Sequence, residues 1–108
     1  MLPGGKMDRK GFESTFHHAA PPDELSEALR GLWWDRRNDW DAAHTAVQAG
    51  SDVAAAWVHA YLHRKEGDLP NSDYWYQRAG RKRPAGTLDE EWSAIVDALV
   101  DSGLGERG

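Results

Sequence analysis

This chain predicts an all-α domain, and three observations carry that prediction. Apolar residues recur at helical spacing in five separate segments. Capping and breaking residues fall between the segments. No stretch alternates apolar and polar residues as a half-buried strand does. The expected architecture is two helical hairpins with repeat-like packing, about 23–49 and 52–83, closed by a fifth helix at about 88–101.

The first predicted helix opens at P-P-D-E, with Asp23 as N-cap and Glu24 and Glu27 at the positive end of the helix dipole. Leu25, Leu29, Leu32 and Trp33 follow in period, and Asn38-Asp39 breaks the helix. A shorter second helix carries Trp40, Ala43, His44 and Val47 on one face, and Gly50-Ser51-Asp52 is a stop followed by a new cap. The third helix runs from about Val53 to Glu66, with Ala54, Trp57, Val58, Tyr61 and Leu62 in period. Gly67-Asp68 ends it, Pro70-Asn71 opens the fourth, and Pro84 follows the cationic end of that helix. Thr87 and Glu90 form a T-x-x-E capping box for the fifth helix, whose stripe is Leu88, Trp92, Ile95, Val96, Leu99 and Val100, with Gly103 as its stop.

Composition sets the bounds. A length of 108 residues suits one domain, and 40% hydrophobic with 29% charged residues is the balance of a globular chain. Residues 1–22 read as a flexible arm with at most one turn around Phe12 to Phe16, Met1–Lys6 as a loose extension with Met7 a second start, and 103–108 as a tail. The six tryptophans all fall in helical segments, where they are expected to build a small core from large side chains. The net charge of -5 argues against nucleic acid as the main partner, because phosphate contacts dominate that affinity. Without cysteine there is neither disulfide nor thiolate metal site. No apolar run approaches the ~20 residues of a membrane span, and the N-terminus lacks a signal-peptide core. The expectation is a cytoplasmic protein with no membrane partner.

The two hairpins align on each other at a shift of 29 residues, Asp39 falling on Asp68, Gly31 on Ala60, Trp34 on His63 and Val47 on Tyr76. This resembles the tetratricopeptide repeat, with its W-x2-L-G-x2-Y…A-x3-F…P pattern. Ala60, Gly67-Asp68, Tyr76 and Pro84 match in the second unit, and Gly31, Trp34, Ala43 and Val47 in the first. The departures are the shortened period, His59 and His63 where the pattern wants leucine and tyrosine, and Ala56 and Glu27 where it wants tryptophan. The expectation is a repeat-like fold rather than full membership. The run H-A-Y-L-H-R-K-E-G-D followed by Y-W-Y-Q-R-A-G is also similar to a small family of uncharacterised proteins of like length, which implies a shared fold and no mechanism.

The resemblance implies a concave groove lined by the first helix of each hairpin. Carried over, it holds Trp57, Tyr61, Arg64 and Lys65, with Leu32, Asp35 and Arg36 from the first unit. Aromatics beside cations suit an extended peptide or its carboxylate. Plain periodicity instead puts Trp57 and Tyr61 in the core. The two agree if the third helix is central and the groove is filled by the fifth helix or the arm. The expected function is a non-catalytic module binding a peptide or protein, without cofactor. Two hairpins and one helix are few repeats for a continuous core, so a homodimer is a further expectation.

His59 and His63 lie at i and i+4, the spacing of two zinc ligands on one helix, with Glu66 three residues on. A zinc hydrolase of the H-E-x-x-H type needs a glutamate where this chain has Ala60. The expected reading is therefore structural: both histidines at the contact between the helices of the second hairpin, satisfied by Tyr74, Tyr76, Asp73 or Glu66. The alternative is a small metal-dependent or histidine-based enzyme using His59, His63, Glu66 and His44. His17-His18 in the arm and the R-A-G-R-K-R run at Arg78–Arg83 are weaker candidates, read as solvated groups.

Overall fold

The computed structural model describes residues 8–102, with side chains from 8 to 100. Among these it is all-helical: α1 (Arg9–Glu13), α2 (Glu27–Arg36), α3 (Trp40–Gln48), α4 (Val53–Glu66), α5 (Leu69–Arg78) and α6 (Leu88–Ser102). No strand occurs among the described residues. The predicted extension at 1–6, Met7, the stop at Gly103 and the tail lie outside them.

Helices α2 and α3 form one hairpin, α4 and α5 the next, and α4 touches α2, α3, α5 and α6. Its residues Ala54 to His63 are buried without interruption. That reconciles periodicity with the repeat register, because a helix enclosed on most sides has no free face.

The turns of the two hairpins are copies. Asn38 (φ 60°) and Gly67 (φ 88°) occupy the left-handed region that asparagine and glycine tolerate best. The next residue caps the second helix: Asp39 accepts from the Ala42 N–H at 3.0 Å, Asp68 from the Asn71 N–H at 3.3 Å. The same backbone bonds close both, Asp39 N–H to the Trp34 carbonyl at 3.1 Å and Asp68 N–H to the His63 carbonyl at 2.9 Å. Where the helices cross, a Cβ added to Gly31 would meet Val47 Cγ1 at 2.5 Å. In the second hairpin Ala60 takes that place, and the Ser72 hydroxyl donates to its carbonyl at 3.0 Å.

Three boundaries differ from the sequence reading. Helix α5 ends at Arg78 with Ala79 as its C-cap, so Arg81, Lys82 and Arg83 lie beyond the helix and not at its cationic end. The cap of α2 is Ser26, whose Oγ accepts from the Leu29 N–H at 3.3 Å, not Asp23. Leu25 already lies in the core before the helix starts, so P-P-D-E leads in through a turn. The segment expected to be a flexible arm is packed from residue 8 onward. Phe12 in α1 is 0% exposed and faces Trp92 with ring centroids 6.3 Å apart. Arg9 pairs with Asp97 at 3.1 Å, and the Trp33 indole N–H donates to the Thr15 hydroxyl at 3.1 Å. The apolar weight of Phe12 outbids the glycines and prolines around it. The capping box of α6 forms in both directions, Thr87 N–H to Glu90 Oε1 at 2.7 Å and Glu90 N–H to Thr87 Oγ1 at 3.0 Å.

Candidate functional sites: a covered groove and a histidine cluster

Helix α6 lies on the face that the repeat register assigns to a groove. The Tyr61 hydroxyl, 2% exposed, donates to Asp35 at 2.8 Å. Lys65 reaches the other oxygen of Asp35 at 2.7 Å. Arg64 donates to Glu91 of α6 at 2.8 Å and to the Gly86 carbonyl. Arg36 stacks on Trp92, 3.9 Å from the ring centroid, and pairs with Asp89. Arg64 and Arg36 thus hold the fold's own last helix, while Tyr61 and Lys65 tie α4 to Asp35 of α2. Glu91, buried and unremarked in the sequence, is the hub: it also accepts the Tyr76 hydroxyl at 2.7 Å. Burial, followed by that bond to Glu91, pushes the Tyr76 phenol far up from its ordinary value.

The open part of this face lies at its edge. Trp57, 8% exposed, carries the Arg81 guanidinium 3.4 Å from its ring centroid. A cleft of 230 Å³ opens there between Trp57, Arg81, Lys82, Pro84, Thr87 and Ala94. A second of 560 Å³ runs from the other side of Trp57 and Arg81 toward Val53 and Leu99. Among the described residues, Arg81 and Lys82 have no acidic partner within ion-pair distance, whereas Arg83 pairs with Asp73 at 3.1 Å.

The histidines form the other site. His59 (4% exposed) and His63 (6%) lie one turn apart on α4. His44 arrives from α3, its Nε2 3.0 Å from His59 Nε2. The His44 and His63 ring centroids are 5.2 Å apart, those of His59 and His63 5.0 Å. Flat aromatic faces hold the rings: Trp40 stacks on His44 at 4.8 Å and 9°, and Trp75 on His59 at 3.9 Å and 11°. The Trp40 indole N–H donates to the Leu62 carbonyl at 2.9 Å, which ties α3 to α4 beside the cluster.

His63 Nδ1 lies 2.6 Å from Glu66 Oε1, and its Nε2 is 3.4 Å from the Asn71 amide nitrogen. Both buried histidines do meet α5, as expected, but through Asn71 and Trp75. Of the expected partners only Glu66 serves. Tyr76 is committed to Glu91, Tyr74 lies exposed beside Arg78, and Asp73 pairs with Arg83. Desolvation, with His44 and then His63 nearby, pushes His59 down to about 4. Desolvation also lowers His44, helped by His63. Both rings are therefore neutral near pH 7, with lone pairs able to accept a proton or bind a metal.

His44, His59, His63 and Glu66, named together on sequence grounds, are neighbours here. The aromatic walls Trp40 and Trp75 and the amide of Asn71 were missed; a tryptophan at helical spacing reads as core, and nothing local marks it as lining a polar cluster. The His17 and His18 rings meet edge to face with centroids 4.6 Å apart, and the Arg37 guanidinium donates to the His18 carbonyl. No protein family, curated protein or solved structure matches this chain. Among the described residues no helix is long and apolar enough to cross a membrane.

Proposed function

We propose that the protein is a non-catalytic, repeat-like helical module that binds a peptide or protein partner at the uncovered edge of its groove. The observation that supports this is the Trp57–Arg81–Lys82 edge: an aromatic plate, two cations without acidic partners among the described residues, and clefts of 230 and 560 Å³ on its two sides. Glu90 and Glu91 also line the smaller cleft, Glu91 being paired with Arg64, so Arg81 and Lys82 are the cations that this edge leaves for a ligand. The edge suits an extended segment that offers a carboxylate to Arg81 and Lys82 and an apolar side chain to Trp57. Of the inner positions, Arg64 and Arg36 act in this reading as supports that fix α6 as the groove's wall, and Tyr61 and Lys65 brace α4 on Asp35 of α2. The same reading places the protein in the cytoplasm, with a second copy of the chain as an alternative occupant of the edge.

A peptide library with free and amide-capped C-termini tests it. Wild type should enrich carboxylate-bearing peptides, and the Arg81→Glu/Lys82→Glu protein should lose at least about tenfold in affinity. Exposed charge changes alter stability by less than about 0.5 kcal/mol each, so such a loss reports on binding. Equal enrichment by both proteins overturns the assignment of the edge. Sedimentation equilibrium identifies self-association in its place.

A further inference from the structure

We propose that His44, His59 and His63 form a binding site for a divalent transition metal of the zinc class, supported by Glu66. The site is independent of the groove edge. It draws on α3 and α4 at the seam between the two hairpins.

Geometry carries the proposal. One ligand atom from each of the three imidazoles lies within 4.8 Å of the other two. Zinc binds histidine nitrogen at about 2.0–2.1 Å, so the edge of a tetrahedral site is roughly 3.3–3.4 Å. The His44–His59 Nε2 pair, at 3.0 Å, is already close to that edge. Closing the third nitrogen onto such a site takes at most about 1.4 Å, within reach of small side-chain rotations.

The surroundings are those of a ligand set. Glu66 takes His63 Nδ1 at 2.6 Å and so leaves Nε2 as its ligating atom. A carboxylate on the far nitrogen fixes the tautomer and raises the basicity of a metal-bound imidazole. Trp40 and Trp75 restrict ring rotation at His44 and His59. With three imidazole nitrogens and no thiolate, the donor set selects zinc, copper or nickel over calcium or magnesium. His44, only half-buried, leaves the solvent side of the site for a fourth ligand from water.

Hairpin packing alone does not call for these residues. At the 29-residue shift His59 and His63 correspond to Arg30 and Trp34, and the first hairpin closes with the same turn. A His44–His59 hydrogen bond would need two histidines. The third, with its own carboxylate, is what a metal adds.

The test uses tag-free, full-length protein stripped of metal and titrated with zinc(II) against a chromophoric chelator. The expected result is one zinc per chain with Kd below about 1 μM. His44→Ala should weaken binding at least about 100-fold, and Glu66→Gln by roughly 10–100-fold. His17→Ala/His18→Ala should leave binding unchanged. Cobalt(II) should give the intense visible absorption of a four-coordinate site in wild type and not in His44→Ala. Circular dichroism checks each variant. If His44→Ala fails to fold, Glu66→Gln at the partly exposed rim carries the decision. Kd above about 10 μM, binding that survives both His44→Ala and Glu66→Gln, or binding lost with His17 and His18 overturns the site.

Discussion

The first hairpin crosses through Gly31 and Val47, where the side chains nearest the glycine are the apolar Val47 and Val58. The second crosses through Ala60, Ser72 and Tyr76, positions that correspond by register to Gly31, Ala43 and Val47. One turn geometry thus serves two kinds of interior. The apolar hairpin needs the closest approach, and only glycine allows it. The second holds a methyl group at the same place, and its interior holds hydroxyls and imidazoles that must each find a partner. Buried polar groups fix geometry more tightly than apolar contacts, because each has few acceptable arrangements. The difference shows that a repeat can keep its turn while one copy becomes a polar site.

The largest effect that sharpens this contrast lies where the second hairpin meets α6. Arg64→Glu sets a carboxylate against buried Glu91, whose ion-pair partner it removes. Breaking a buried pair costs about 3–5 kcal/mol, and urea unfolding should show a loss of that size. A sequence reading that leaves Arg64 on an open groove expects almost no change. A loss below about 1 kcal/mol would mean that α6 does not seal this face.

Acid should act next, through His59 of the second hairpin above all, with His44 of α3 lowered in the same direction. His59 is pushed down to about 4, while an unfolded histidine titrates near 6.5. Below 6.5 the unfolded chain takes up the proton first, so stability falls as pH drops from about 6.5 to about 4 and levels off below. Above 6.5 the group is neutral in both states and contributes no slope. Over that window the loss is up to about 3 kcal/mol in metal-free protein. Denaturant midpoints for His59→Gln should vary less with pH between 7 and 4.5 than those of wild type. An identical slope in the two proteins would place the acid sensitivity elsewhere.

The smallest effect compares the crossings directly. Gly31→Ala drives a methyl group toward Val47, an overpacking cost of about 1–3 kcal/mol that helix propensity reduces by up to about 1. Adding Val47→Ala should recover part of it. Ala60→Gly has no clash to make and should cost about 1 kcal/mol from helix propensity alone. Thermal melts of the four proteins decide whether the first hairpin is the tighter of the two.

Most helix positions were legible in the sequence because each depends on near neighbours. Asp52 caps where it was expected and Thr87 with Glu90 closes its box, while Asp39 and Asp68, read as breaks between helices, are themselves the caps. The identity of the buried face of α6 was equally plain from Trp92, Ile95 and Leu99. What α6 covers was not, since that depends on Glu91 meeting Arg64 across 27 residues. The histidine pair was visible as an i, i+4 spacing. Its third member, His44, was read on one face with Trp40, Ala43 and Val47, but it corresponds by register to Asp73 and the repeat gives no hint that it meets His59. Phe12 was hidden by a glycine- and proline-rich neighbourhood that resembles a tail.

The packing of α1 onto α6 bears on how the chain assembles during synthesis. Arg9 bonds to Asp97 and Ser93, residues 88 and 84 positions later. Each hairpin closes through a turn of a few residues and can form while the next is still being made. The contact of α1 with α6 cannot form until α6 has been translated, and before that only the bonds of Thr15 to Trp33 and of Phe16 to Arg37 can hold this segment on the first hairpin. The seat of Phe12 against Trp92 is therefore completed last among the contacts of the described helices.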